Sequence, residues 1–162
     1  MKSLQIAVAC CLLAILTVVA GQRNTPITVR NCRGETPKAS LTSVFIENCT
    51  QEPCIFRKGQ NYSIEMDLEI LGPVESMEAH LYAKLAGISF NWGGNPEACN
   101  DIISAGPRCP LKTGDNITYG GHLYVSEHIA TFTADFKYIV LDENRETLVC
   151  WLVKASVQEA RN

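Results

Sequence analysis

The chain has 162 residues, a formal charge of −3 and 19% charged side chains, and its basic residues form no run. Phosphate binding needs clustered Lys and Arg, so nucleic acid is excluded as the expected partner. Eight cysteines in a chain of this size point towards an oxidising compartment.

Residues 1–21 are predicted to be a secretory signal peptide. Lys2 supplies the positive start, Ile6 to Ala20 an apolar run too short for a membrane span, and Val18-Val19-Ala20-Gly21 the small residues of a cleavage site. Loss of these 21 residues leaves 141, enough for one domain over 22–162, and losing Lys2 takes the charge from −3 to −4. No later segment is long and apolar enough to cross a bilayer, so the mature chain is expected to be soluble. Cys10 and Cys11 leave with the leader. The six cysteines that stay, Cys32, Cys49, Cys54, Cys99, Cys109 and Cys150, argue for three disulfides. Six cysteines admit fifteen pairings. Loop length favours closing Cys49 on Cys54 and Cys99 on Cys109, but sequence alone does not choose.

After a loose N-terminus over 22–26, Thr28 to Cys32 reads as a short strand. Leu41 to Asn48 is rich in β-branched and aromatic residues and ends at the Cys49 turn. Gln60 to Leu71 is the clearest element: Tyr62, Ile64, Met66, Leu68 and Ile70 alternate with Ser63, Glu65, Asp67 and Glu69. Successive side chains of a strand point to opposite faces, so the apolar set is buried and the acidic row is solvated. Gly72-Pro73 ends it. Met77, Ala79, Leu81, Ala83 and Leu85 then alternate with Glu78, His80, Tyr82 and Lys84 in a second amphipathic strand.

Gly87 to Pro110 is dense in glycine and proline and is predicted to be irregular; Phe90 and Trp92 in such a loop need something to cover. Asn116 to Val125, Ile129 to Leu141 and Thr147 to Val157 supply three more strands, with Phe132, Phe136 and Tyr138 on one face. About seven strands and no helical period predict an all-β fold, an immunoglobulin-like antiparallel β-sandwich of two sheets.

Little in the chain points to catalysis. His80, His122 and His128 stand in no metal-ligand spacing, and each reads as a surface residue. No nucleophile elbow, phosphate loop or dinucleotide fingerprint occurs, so neither an enzyme nor a cofactor is expected. Sequons begin at Asn48, Asn61 and Asn116. The first contains Cys49, expected to be bridged, which leaves Asn61 and Asn116 as candidate glycosylation sites. The remaining signal is apolar. An ordinary sandwich core and a cavity for an apolar ligand are lined by the same residue types, and composition leaves both open.

The cysteine frame adds to this. Cys32, Cys49-Thr50-Gln51-Glu52-Pro53-Cys54 followed by Lys58-Gly59-Gln60, then Pro96-Glu97-Ala98-Cys99, Cys109-Pro110 and Cys150-Trp151 resemble the ML (lipid-recognition) domain family, and within it the soluble Niemann–Pick type C sterol carriers. The resemblance runs from about Val29 to Val157. It implies an apolar cavity between the two sheets and disulfides paired Cys32–Cys150, Cys49–Cys54 and Cys99–Cys109. It also implies non-catalytic carriage of a sterol, fatty acid or apolar semiochemical by a monomer, secreted or in the lysosomal lumen, with a membrane lipid transporter or receptor as partner. The family also holds innate-immune lipid-recognition modules that act through a membrane receptor, which is the alternative function. Positions matching the carriers' pocket are Ile46, Tyr62, Ile64, Phe90, Val125, Ile129, Tyr138 and Trp151. The chain departs from the pattern around the entrance. Ile88 to Gly93 replaces a proline-rich loop, Ile129 an aromatic residue, and Tyr138 a tryptophan.

Overall fold

Runs that alternate in hydrophobicity become strands of two sheets packed face to face. In the computed structural model, which describes residues 25–160, the elements are β1 Arg30–Asn31, β2 Ala39–Ile46, β3 Cys54–Arg57, β4 Asn61–Ile70, β5 Met77–Leu85 and β6 Ile88–Asn95. A short 3-10 helix Ala98–Asp101 follows, then β7 Asn116–Tyr124, β8 Phe132–Asp142 and β9 Thr147–Gln158. The leader expected over 1–21 lies outside the described residues. One sheet has the order β1-β9-β8-β5-β6, with β3 also beside β9; the other is β2-β4-β7.

The period of two in β4 is realised: Tyr62, Ile64, Met66, Leu68 and Ile70 are all buried. The opposite face is less wet than the sequence suggests. Asp67 is half-buried and accepts hydrogen bonds from Ser43 Oγ (2.6 Å) on β2 and Thr118 Oγ1 (2.7 Å) on β7. The hydroxyls of the flanking strands satisfy the carboxylate within the sheet.

Three further features were not read from the sequence. First, residues 88–95 are not a loop but a strand, joined to β5 by the turn Ala86-Gly87, with Leu85 opposite Ile88. Both turn residues have positive φ (50° and 84°), as the tightest hairpins require. A Cβ at Gly94 would lie 2.7 Å from the Ala79 carbonyl oxygen, so this glycine permits close approach of two strands rather than a bend. Second, β3 is a strand that its length conceals, since four residues are too short for a period to show. Third, β3 runs parallel to β9, with Cys54 opposite Ala155, so the sandwich is antiparallel in every other strand pairing but not in this one.

The core between the sheets is aromatic. Trp151 and Tyr138 stack 5.3 Å apart with rings 5° from parallel, and Phe56 packs on Tyr62 (4.8 Å) and Phe136 (5.9 Å). The disulfides are Cys32–Cys150, Cys49–Cys54 and Cys99–Cys109. The first joins residues 118 apart in sequence. On the chain-entropy model such a closure stabilises the fold by about 4–5 kcal/mol. The second links the turn after β2, in one sheet, to the start of β3, in the other.

Candidate functional site: an apolar cleft between the sheet edges

β6 is the edge of the larger sheet and β7 an edge of the smaller, and the two do not pair. Between them the sandwich gapes. At the tip of the β5–β6 hairpin lies a cleft of about 510 Å³, bounded by Ala83, Leu85, Phe90, Trp92, Ile129 and Phe132, with Tyr124 and Ser126 across from them. No charged side chain lines it. Trp92 packs on Phe132 (5.6 Å) and Phe136 (5.3 Å), so the aromatic wall is continuous with the core. Phe90 is 50% exposed, Ile88 61% and Tyr124 55%. Exposed apolar side chains gathered around one opening mark a contact site for an apolar partner.

A second cavity of about 560 Å³ adjoins the first and shares Trp92 and Tyr124 with it. Its lining is more polar. Tyr138 O–H donates to Tyr119 Oη (3.2 Å), Tyr119 O–H donates to Asp101 Oδ2 (3.3 Å), and Asn95 Nδ2 donates to the same oxygen (2.7 Å). The 3-10 helix brings Asp101 here, because the following Ile102 bridges to Tyr119. Burial pushes both phenols up, Tyr138 to about 12 and Tyr119 further, with the Asp101 charge adding in the same direction. Both hydroxyls therefore keep their protons across the physiological range.

The residues expected in the pocket fall into three groups. Phe90 and Ile129 line the cleft, and Tyr138 lines the adjoining cavity. Ile46, Ile64, Val125 and Trp151 are buried in the packed core and line neither. Tyr62 is buried against Phe56, its hydroxyl accepting the Arg57 backbone N–H at 2.6 Å. It borders a separate depression with Glu47 and Arg57. Sequence reasoning missed Leu85, Asp101 and Tyr119. Phe132 and Trp92 had a signal, since alternation along their strands aligns them with Phe136 and Phe90. Asn61 and Asn116 are exposed, as are His122 and His128, whereas His80 is half-buried with Nε2 2.7 Å from Glu78 Oε1. Among the described residues, no cluster of three or more His, Cys, Asp or Glu is placed to hold a metal.

The family model of the ML domain matches residues 26–157, the whole sandwich. The chain belongs to the ML domain family. Similar curated proteins include NPC intracellular cholesterol transporter 2 of Canis lupus familiaris, 24% identical over 118 residues (73% of this chain, 77% of that one). The same-named protein of Sus scrofa is 21% identical over 145 residues, covering 89% and 93% of the two chains. Among solved structures, a Niemann-Pick type C2 protein from Japanese carpenter ant superposes with a TM-score of 0.71 at 20% identity, over 82% of this chain and all of that one. In this ML domain, then, the gap between β6 and β7 leaves the sandwich unfilled beside exposed apolar side chains.

Proposed function

We propose that this ML domain is a non-catalytic carrier that takes a small apolar lipid, of the sterol or fatty-acid class, into the cleft and hands it on. What supports this above all is a cleft of about 510 Å³ walled by Phe90, Trp92, Ile129 and Phe132 without a single charge. Small-molecule sites are commonly apolar clefts of roughly 300–1,000 Å³ with few polar groups. Removing apolar ligand surface from water contributes roughly 25 cal/mol per Å². That suffices for tight binding after the cost of association. The cholesterol transporters similar to this chain support a sterol-class cargo. Phe90, Ile129 and Tyr138 would meet the lipid directly; Ile46, Tyr62, Ile64, Val125 and Trp151 would meet it only as the sheets part.

Titration of the purified protein with a fluorescent sterol and a fluorescent fatty acid tests this. Phe90→Asp places a charge at a half-exposed position, so the fold is retained while affinity falls about tenfold or more. Wild-type affinity in that variant contradicts the assignment. Transfer between donor and acceptor vesicles is expected as well. Binding without transfer would point to a recognition module held by a receptor.

The chain is further proposed to travel the secretory route, to the outside or to the lysosomal lumen, and to carry glycans on Asn61 and Asn116. Its disulfides suit that compartment. Protein from a eukaryotic secretory host should lose mass on glycosidase treatment, in two steps that Asn61→Gln and Asn116→Gln abolish separately. An unchanged mass refutes the glycans.

A further inference from the structure

We propose that the second cavity is a head-group subsite that selects a hydrogen-bond donor, an alcohol O–H, over a carboxylate. It rests on the carrier reading above and specifies the class of lipid. The hydroxyl chain at its inner end has a fixed direction. The Asp101 carboxylate only accepts, and it takes hydrogens from Asn95 Nδ2 and Tyr119. Tyr119 has thereby given its one hydrogen, so the 3.2 Å contact between the phenols must be donated by Tyr138. Tyr138 is left with lone pairs alone. It lines the cavity as an acceptor and has nothing to donate.

The backbone makes room for this arrangement. A Cβ at Gly121 would stand 2.7 Å from Tyr138 Oη, so only glycine there allows the hydroxyl its present position. Of the other donors in the lining, Asn95 Nδ2 is bonded to Asp101, and the Trp92 ring packs on Phe132 and Phe136. His80 Nε2 lies against Glu78, and His122 is exposed at the rim. Trp151 has a buried Nε1 without a partner, but its ring stacks on Tyr138 and is not part of the lining. An alcohol donates to Tyr138 and extends the chain by one link. A carboxylate finds no hydrogen at Tyr138 and brings a second negative charge towards Asp101, and a buried polar group left unpaired discriminates strongly between ligands.

The test displaces an apolar fluorescent probe, N-phenyl-1-naphthylamine, from the full-length mature protein with oleyl alcohol and with oleate at neutral pH. These two differ only at the head group. In Tyr138→Phe, which keeps the ring on Trp151, the preference for the alcohol over oleate should fall about tenfold, the value of one buried hydrogen bond. Asp101→Asn is the second variant. Its amide can donate as well as accept, so the chain can reverse and the preference should narrow. A preference that survives unchanged in both variants overturns the inference and leaves the carrier reading intact. Failure of the probe and both lipids to bind overturns the two together.

Discussion

Asp142 sits at the turn from β8 to β9 with its side chain wholly buried. It accepts from Lys38 Nζ (2.6 Å) and from the backbone N–H groups of Asn144 (2.9 Å) and Glu146 (2.8 Å). Burial alone would push the carboxyl up, but these donors outweigh it and hold the group below the usual carboxylate range. Lys38, bonded to Asp142 and paired with Glu146 as well, is held above the ordinary ammonium value. A carboxylate depressed on folding adds stability above its unfolded value, roughly pH 4, and that stability is lost as pH falls through the lower folded value. Asp142→Asn keeps an acceptor for the two amides and removes the charge. Lys38 is one-third exposed, which discounts the loss to about 1–2 kcal/mol at neutral pH. Urea unfolding should show that gap at neutral pH and a narrowing one as pH falls below about 4 and the wild-type carboxylate begins to take up its proton. An equal gap throughout would show that the charge contributes nothing.

The elements that could be read from the sequence are those with one wet face. β4 and β5 announce themselves because Glu65, Glu69, Glu78 and Lys84 mark the phase of the opposite, buried row. β6 does not, because Gly94 serves strand contact, lying against the Ala79 carbonyl, and Ala86-Gly87 lacks the Asn or Asp that usually flags a two-residue hairpin. Glycine density therefore imitated a loop. The expected site divides along the same line. Phe90, Ile129 and Tyr138 were placed by the resemblance, and alternation alone aligned Phe132 with Phe136. Nothing in the chain couples Asp101 to Tyr119, eighteen residues away. Their meeting depends on the bridge from Ile102 to Tyr119, a tertiary contact without a local pattern.

At the scale of the whole sandwich the two ends are unlike. At one end the strands of both sheets are laced together: Leu71 N–H donates to the Lys38 carbonyl (2.8 Å), Lys38 N–H donates to the Thr147 carbonyl (3.0 Å), and Val74 bridges to Leu111. The pairing of half-buried Lys38 with buried Asp142 closes the same end. At the other, Cys49–Cys54 and the bond from Lys58 N–H to the Gln158 carbonyl (3.0 Å) fasten only the side near β3. The β6 and β7 edges do not pair and are tied through Asp101 only at the Asn95 end, and the cleft opens at the hairpin end of β6. Local opening has least to break where backbone groups lie unpaired along an edge and few buried contacts must be lost. A lipid should therefore enter by parting β6 from β7 and leave the laced end undisturbed. Hydrogen exchange with and without bound lipid tests this directly. Amides from Leu85 to Trp92 should slow on binding, while those around Lys38 and from Asp142 to Thr147 keep their rates. Slowing confined to the Lys38–Asp142 end would move the entrance to the opposite pole of the molecule.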